Sequence, residues 1–250
     1  MKSDSASKIA LVTGAGRGIG RAIARQLVQA GVTVYVNDIN AEAVRDVVHE
    51  LIAAEGKAFP AAADIANAAE VTALFAIIAA RTGRLDMLVN NAAISHPAAL
   101  SEISDDDWQA VLSVNLSGAF YCCRAAFPLM QTHGGRIINL SSVSAYTGKV
   151  LSNNAAYIAA KAGLDGLTRA LSREGAPLGI AVNSVAPGIV ETDIHAHLSA
   201  EQRALLPSLI PTDRLATAEE VAEVVCFLAT AASSQLTGQI IHVNGGMYFA

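Results

Sequence analysis

A tyrosine and a lysine one helical turn apart are the side chains in this sequence best suited to proton chemistry. Tyr157 and Lys161 lie in the segment Asn-Ala-Ala-Tyr-Ile-Ala-Ala-Lys at 154–161, and residues four apart share one face of a helix. A free phenol has a pKa of about 10, and a nearby positive charge lowers that pKa by ~1–3 units. The pair is therefore a candidate proton donor and acceptor. The alternative interpretation is a half-buried tyrosine beside a solvated lysine.

A glycine-rich segment near the N-terminus is a candidate phosphate site. The apolar run Ile9–Val12 leads into Thr-Gly-Ala-Gly-Arg-Gly-Ile-Gly at 13–20, and a helix is predicted from Gly18 to Gln29. Glycines in such a turn let the backbone approach a phosphate, and the start of the helix attracts negative charge. Glycines also make ordinary turns, but the strand–turn–helix context favours a dinucleotide site.

Two charged residues bear on which dinucleotide would bind. Asp38 follows the predicted strand Val32–Val36 and lies eighteen positions after Gly20. A carboxylate there accepts hydrogen bonds from the adenosine ribose and repels a 2′-phosphate, which favours NAD. Arg17, in the glycine segment, has the opposite effect if it pairs with that phosphate. Because the charge of Asp38 would lie directly beside the 2′ position, the sequence predicts a preference for NAD.

Alternating apolar runs and helical patterns predict the scaffold that positions these residues. Further strands are predicted at Ala58–Ala63, Met87–Val89, Arg136–Leu140, Ala181–Val185 and Gln239–Val243, and further helices at Ala41–Ala54, Ala68–Ala80, Asp106–Met130, Ala155–Ser172 and Ala218–Leu228. Near-continuous apolar strands separated by helices indicate a parallel sheet covered on both faces. About seven such units predict an α/β, doubly wound, single domain over residues 1–250. Residues 1–7 form a polar tail, and 188–214, longer than an ordinary connection, is either a lid over the site or a loop.

Composition argues against several classes of partner. The net charge is −5 with no basic block, so no nucleic-acid partner is expected. No uninterrupted apolar run reaches the ~18 residues that span a bilayer, and no membrane association is expected. The three cysteines, Cys122, Cys123 and Cys226, have neither a disulfide nor a metal spacing, which favours the reducing cytoplasm. His195 and His197 are two apart and do not share a helical face, so no metal is predicted.

Several motifs, in order from Lys8 to Met247, resemble those of the short-chain dehydrogenase/reductase family. They are the glycines Gly14, Gly18 and Gly20 in Thr-Gly-x-x-x-Gly-x-Gly, the pair Asp64-Ile65, Asn90-Asn91-Ala92-Ala93, Asn115, the serine pair Ser141-Ser142, Tyr157-x-x-x-Lys161 and Pro187–Thr192. Two features depart from the family pattern. Ala93 replaces the usual glycine, and the spacing to Tyr157 is slightly longer than usual and taken alone points to Ser144. The position of Ser142 directly after the strand favours Ser142 as the catalytic serine.

The resemblance implies a Rossmann fold and reversible hydride transfer between a secondary alcohol and the nicotinamide of NAD. It implies that Tyr157 is the acid/base, that Lys161 lowers the pKa of Tyr157 and binds the nicotinamide ribose, that Ser142 binds the substrate oxygen, and that Asn115 holds Lys161 through a water. Expected cofactor contacts are Gly14, Arg17, Gly18, Ile19, Gly20, Asp38, Asp64, Ile65, Asn91, Ala92, Tyr157, Lys161, Pro187, Gly188, Val190 and Thr192. Expected substrate contacts are Ser95, His96, Ser144 and Asn154, whose polarity hints at a hydroxylated small molecule.

Three functions remain open from the sequence. The leading one is an NAD-dependent alcohol, polyol or sugar dehydrogenase, and the second is a 3-oxoacyl-thioester reductase of the acyl-carrier type. A non-catalytic NAD-binding protein is the third, which the complete set of expected catalytic residues argues against. The resemblance also implies a homotetramer whose interfaces involve the helices 106–130 and 155–172 and the apolar C-terminal tail.

Overall fold

A computed structural model describes residues 8–148, 153–192 and 199–249, in which seven parallel strands form one sheet. The strands are β1 (Ile9–Val12), β2 (Thr33–Val36), β3 (Ala58–Pro60), β4 (Met87–Asn90), β5 (Gly135–Leu140), β6 (Ile180–Pro187) and β7 (Ile240–Val243). Their order is β3-β2-β1-β4-β5-β6-β7. The chain therefore reverses its direction of growth between β1 and β4, and ligands of doubly wound sheets bind at such a switch point.

Helices cover both faces of the sheet, as the sequence predicts. They are α1 (Gly18–Gln29), α2 (Ala41–Ala53), α3 (Ala68–Thr82), α4 (Asp105–Leu112), α5 (Ala119–Met130), α6 (Ser144–Thr147), α7 (Ala155–Gly175), α8 (Ala200–Ala204) and α9 (Ala218–Leu228). The alternation within β1 shows how one strand serves two cores: Ala10 and Val12 pack with α1, α2 and α9, whereas Ile9 and Leu11 pack with α3 and α5. All four of these side chains are buried, which is why the strand is apolar at every position.

The long helix predicted at 106–130 is continuous in direction but changes its winding in the middle. A π-helical segment, Ser113–Gly118, separates α4 from α5 and contains the buried Asn115. Segments of this kind are rare and are frequently found at functional sites. The sequence pattern does not reveal the π segment, because its six residues are too few to show a periodicity of their own.

The stretch Asp105–Met130 is also long and apolar enough to cross a membrane by length and composition alone, with a hydropathy of 1.2 in its best window. Buried helices of proteins that never enter a bilayer meet the same criterion, so the finding is weak. This finding differs from the expectation drawn from uninterrupted apolar runs, because polar residues such as Ser113 and Asn115 break the run while the mean hydropathy still reaches 1.2. In the structure this stretch packs against α3 and α7.

Three strands are shorter than predicted, and the first of them, β2, begins at Thr33 instead of Val32. The third strand ends at Pro60 instead of Ala63 because the side chain of Asn37 takes over as hydrogen-bond donor, reaching the carbonyl of Ala61 at 2.8 Å and that of Ala63 at 3.1 Å. The last strand begins at Ile240, one residue later than predicted. The polar tail 1–7 and the histidines His195 and His197 lie outside the described residues, as does part of the segment 188–214; the described part of that segment contains α8.

Candidate active site

A cleft of about 480 Å³ opens at the carboxyl ends of the strands. Its walls include the segments that follow the strands β1 to β6, so residues distant in sequence meet there. Of the residues predicted to bind cofactor or substrate, those lining the cleft are Gly14, Arg17, Gly18, Ile19, Asp38, Asp64, Ile65, Asn91, Ala92, Ser95, Ser142, Ser144, Asn154, Tyr157, Lys161, Pro187, Gly188, Val190 and Thr192. Gly20, His96 and Asn115 do not line it.

The glycine turn between β1 and α1 needs glycine for two separate reasons. Gly14 and Gly18 have φ angles of +61° and +54°, which strain any residue that carries a Cβ. Gly20 has a different constraint, because a Cβ there would lie 2.3 Å from the carbonyl oxygen of Gly14. The turn is thus tightly packed on its inner side while its outer side faces the cleft.

Asn91 holds this turn in place from the neighbouring strand. Its side-chain amide donates to the carbonyl oxygens of Thr13 and Gly14, both at 2.9 Å. In return the hydroxyl of Thr13 accepts the backbone N–H groups of Asn91 at 3.0 Å and Ala92 at 3.1 Å. The motif after β4 and the glycine turn therefore form one rigid floor at the switch point of the sheet.

Asp38 lies at the rim of the cleft, directly beside the glycine turn. Its Oδ2 accepts the backbone N–H of Gly16 at 3.1 Å, and its Oδ1 accepts the N–H of Asn40 at 3.0 Å. These bonds fix the orientation of the carboxylate. Across the rim, Asp64 Oδ1 accepts the N–H of Ala66 at 2.9 Å, and Ile65 is buried.

These features fit a dinucleotide cofactor. The first turn of α1 contains no acidic residue, and Arg17, the residue before it, makes no capping hydrogen bond through its side chain. No acidic side chain of that first turn competes for the backbone N–H groups at the start of α1, which is the arrangement that receives phosphates. The residues positioned to hold the cofactor are the glycine turn, Asp38, Asp64, Ile65, and the segments after β4 and β6.

Tyr157 and Lys161 meet at the inner end of the cleft. The Lys161 ammonium donates to the carbonyl of Leu140 at 2.6 Å and lies 5.5 Å from the centre of the Tyr157 ring. Burial lowers the pKa of Lys161 to about 8, against an opposing influence from Asp165. Burial also raises the pKa of Tyr157, and a hydrogen bond with Ser142 acts in the opposite direction.

The pKa of Tyr157 thus shifts opposite to the sequence expectation. The expectation considered the positive charge of Lys161 alone, but the apolar surroundings of the phenol disfavour its phenolate more strongly. The raised pKa favours the protonated form of the phenol, and the same burial makes the ammonium of Lys161 easier to deprotonate.

The structure distinguishes the two candidate serines by their environments. Ser142 is buried, and its hydroxyl accepts the backbone N–H of Ser144 at 3.1 Å. It is also the serine whose hydrogen bonding opposes the rise in the pKa of Tyr157. Ser144 begins α6 and lines the cleft further along. This arrangement supports the prediction that Ser142 is the catalytic serine, with Ser144 as a pocket residue.

Asn115 lies behind the cleft and is hydrogen-bonded to the loop after β4. Its carboxamide oxygen accepts the backbone N–H of Ile94 at 2.8 Å, and its amide donates to the Ile94 carbonyl at 2.9 Å. The paired bonds attach that loop to the π-helical segment. The side chain is thus committed to Ile94, and the predicted water-mediated link to Lys161 stays a prediction.

The predicted substrate residues divide into two groups. Ser95 and Asn154 are joined by a 2.7 Å hydrogen bond from the Asn154 amide to the Ser95 hydroxyl at the cleft. The prediction for His96 is not supported by its position: the imidazole is exposed and its Nε2 lies 3.4 Å from Asp107 Oδ1, away from the cleft. The carboxylates at the start of α4 thus draw the side chain of His96 outward.

Two contributors to the site were not identified from the sequence. The carbonyl of Leu140 anchors Lys161, and backbone acceptors leave no signature in side-chain types. The buried Asp165 lies four residues after Lys161; its signal was available, since an acidic residue continued the Tyr157–Lys161 face of one helix. In the described ranges 8–148, 153–192 and 199–249, no cluster of three or more His, Cys, Asp or Glu side chains is arranged to hold a metal.

The fold and the site together define a dinucleotide-binding oxidoreductase, and comparisons with known proteins give its family. A family model described as enoyl-(acyl carrier protein) reductase matches residues 14–248. The chain is 42% identical over 244 residues to a 3-oxoacyl-[acyl-carrier-protein] reductase of Staphylococcus aureus, covering 97% of this chain and 98% of the relative. It is 43% identical over 244 residues to the Synechocystis enzyme of that name, covering 96% and 97%.

A solved structure shares the fold of this chain. It is described as a putative NAD(P)-dependent gluconate 5-dehydrogenase from Beutenbergia cavernae with bound NADP at low occupancy. It matches with a TM-score of 0.91 and 39% identity, over 97% of both chains. The protein belongs to the short-chain dehydrogenase/reductase family and is an oxidoreductase that acts on CH–OH and keto groups.

Proposed function

We propose that this protein is an NAD(H)-dependent oxidoreductase that interconverts a hydroxylated secondary alcohol, such as a polyol or sugar derivative, and its ketone. The observation that carries the proposal is the convergence of the Tyr157 phenol, the Ser142 hydroxyl and the Lys161 ammonium on one cleft. That cleft also contains the glycine turn. Proton transfer and nucleotide binding are therefore within reach of one small substrate.

In the proposed mechanism, the bound nicotinamide supplies or accepts the hydride. Ser142 donates a hydrogen bond to the substrate oxygen and orients it. In ketone reduction Tyr157 gives its proton to that oxygen, and in alcohol oxidation it takes the proton back. Lys161, held by the Leu140 carbonyl, places a positive charge near the phenol and stabilises the phenolate that forms when the proton leaves.

The proposed preference for NAD rests on Asp38. Its carboxylate is fixed at the rim by Gly16, where the 2′-phosphate of NADP would meet a negative charge. Asp38→Asn is expected to lower the ratio of kcat/KM for NAD to that for NADP by at least about tenfold, equal to ~1.4 kcal/mol. Arg17→Gln is the companion variant, since loss of a cation should weaken any use of NADP. A wild-type enzyme that uses NADP as well as or better than NAD would contradict the preference.

The proposed substrate class rests on the Ser95–Asn154 pair. Asn154 is almost completely buried, and its carboxamide oxygen has no hydrogen-bond partner in the part of the chain that the structure describes. An unpaired buried acceptor is costly, and a substrate hydroxyl could satisfy it after a small shift of the amide. Asn154→Leu should therefore raise KM for polyols and sugar acids more than for simple apolar alcohols.

A 3-oxoacyl-thioester reductase is the second candidate. The 42% identity to the Staphylococcus aureus reductase favours it, whereas Asp38 and the net charge of −5 favour the first candidate. One assay distinguishes the two candidate functions. It follows NADH or NADPH absorbance with polyols, gluconate-type acids, simple ketones and acetoacetyl-coenzyme A. A preference for the thioester with NADPH would select the second candidate.

Tyr157→Phe tests catalysis itself. Loss of the phenolic proton should lower kcat by ~10²–10⁴-fold, while NADH affinity, measured by fluorescence titration, should remain nearly unchanged. Tyr121→Phe removes a hydroxyl outside the cleft and is the control. Binding of NADH by a wild-type protein that turns over none of the alcohols, ketones or thioesters would instead indicate a non-catalytic nucleotide-binding protein.

We also propose a cytoplasmic homotetramer. All three cysteines are free thiols, which suits a reducing compartment. Trp108 on α4 and Phe120 on α5 are each 39% exposed, and burial of such apolar side chains between subunits is favourable. Sedimentation that detects only monomers at micromolar concentration would contradict the assembly.

A further inference from the structure

A buried carboxylate lies directly beyond the catalytic pair on α7. Tyr157, Lys161 and Asp165 follow one another at intervals of four residues, so the three side chains continue along one face of the helix. Asp165 is only 2% exposed. A carboxylate removed from water in this way is costly unless it is paired and hydrogen-bonded, and its contacts indicate what retains it.

Asp165 accepts two hydrogen bonds from the segment that carries the catalytic serine. Its Oδ2 receives the Ser141 hydroxyl at 2.9 Å and the Tyr146 hydroxyl at 2.6 Å. Ser141 directly precedes Ser142, and Tyr146 lies on α6, four residues after it. One carboxylate oxygen thus holds the chain on both sides of Ser142.

The other oxygen of Asp165 can interact with a neighbouring positive charge. Oδ1 is buried and has no hydrogen-bond partner among the described residues. The nearest buried cation on the same helix face is the ammonium of Lys161, whose only hydrogen bond in the described residues is with the Leu140 carbonyl. A neutral acceptor such as that carbonyl does not balance the charge of the ammonium, and the carboxylate does.

The other groups around this cluster do not replace Asp165. Tyr157 and the exposed Arg169 flank it on α7, and Ser141 and Ser142 follow β5. Tyr146 on α6 contacts His242 of β7 and Tyr248, with ring centres 4.7 and 4.9 Å away. Burial lowers the pKa of His242, so its imidazole favours the neutral form. Asp165 is therefore the carboxylate of this cluster, and it favours the charged form of Lys161.

We propose that Asp165 is a positioning residue of the active site, which keeps the buried ammonium of Lys161 charged while it holds Ser141 and Tyr146 on either side of the catalytic serine. The proposal rests on the proposed roles of Tyr157, Ser142 and Lys161. One carboxylate would then set both the charge state of Lys161 and the position of Ser142, so that a change at Asp165 affects both side chains.

The decisive experiment compares Asp165→Asn with wild type in two measurements. The first follows the side chain of Lys161 by NMR in protein labelled with ¹³C at lysine Cε, without cofactor; the chain has five lysines, and Lys161→Met assigns the signal. The apparent pKa of Lys161 is expected to fall by about 1 unit or more in the variant, since an opposite charge at close range shifts a pKa by ~1–3 units. The second measures kcat/KM for ketone reduction against pH, in which the alkaline limb should move to lower pH by a similar amount.

Two further variants separate charge from structure. Tyr146→Phe removes one hydrogen bond but keeps the carboxylate, so it should lower stability with a much smaller change in the Lys161 titration. Glu174→Gln removes an exposed charge from the same helix and should change neither measurement. An Asp165→Asn protein that folds but shows an unchanged Lys161 titration and an unchanged alkaline limb would overturn the proposal. A wild-type protein without oxidoreductase activity would instead contradict the proposed function, and the NMR titration alone would then decide the role of Asp165.

Discussion

The buried ammonium of Lys161 should make the stability of this enzyme rise at alkaline pH. Its folded-state pKa of about 8 lies below the ~10.4 of a free lysine, so between these values the unfolded chain binds more protons than the folded one. Stability therefore increases as pH rises through this window. One pKa unit corresponds to about 1.4 kcal/mol, which gives a gain of about 1 kcal/mol by pH 9 and about 2–3 kcal/mol by pH 10, relative to pH 7.

Other groups titrate in the same range, so the measurement compares wild type with Lys161→Met. Urea unfolding is followed by circular dichroism at pH 7, 8, 9 and 10 and at one protomer concentration. The variant has a constant offset from lost and gained contacts, but only the wild type carries the pH-dependent gain. Lys57→Met, which removes an exposed ammonium, is the control and should follow wild type at every pH. A difference between wild type and Lys161→Met that stays constant from pH 7 to 10 would refute the reasoning.

Three other predictions follow from packing and hydrogen bonding. Gly20→Ala should lower the free energy of unfolding by at least ~2 kcal/mol and weaken NADH binding, because the added Cβ meets a backbone oxygen of the turn. The control in urea unfolding and NADH titration is Gly166→Ala, on α7, whose added Cβ has no atom within 4 Å. Asn115→Ala should cost about 2–4 kcal/mol in urea unfolding, since both backbone groups of Ile94 lose their partners, and it should lower kcat more than it raises KM for NADH. Burial raises the pKa of Cys123 to about 12, so iodoacetamide at pH 8 should label this thiol only after unfolding, and peptide mapping that finds it labelled in the folded protein would contradict the burial.

Most of the scaffold was predictable because the strands and the longer helices have local signatures. The helices α1 and α9 occupy the predicted residues 18–29 and 218–228. For α9 the reason is visible, since Thr217 and Glu220 form reciprocal hydrogen bonds that start the helix. The strands were recognisable because a sheet buried on both faces leaves few polar positions.

Other features depend on contacts between distant residues, and the sequence does not reveal them. The end of β3 is set by Asn37, a side chain more than twenty residues upstream. The position of His96 is decided by Asp107, which lies on a helix whose direction the sequence does not specify. The pKa of Tyr157 shifts opposite to expectation because burial, a property of the whole fold, raises it more than the hydrogen bond with Ser142 lowers it.

The hydrogen bonds between Thr13 and Asn91 have a consequence for how this protein acquires its function as it folds. The glycine turn is fixed by residues 76 to 79 positions away in the chain, so it cannot reach its final shape until β4 has docked beside β1. Pairings of such long range are slow to form, because the loop must close before any contact stabilises it. During refolding, nucleotide affinity should therefore appear late, well after helical circular dichroism, and a fragment that ends before β4 should retain helices without binding a dinucleotide.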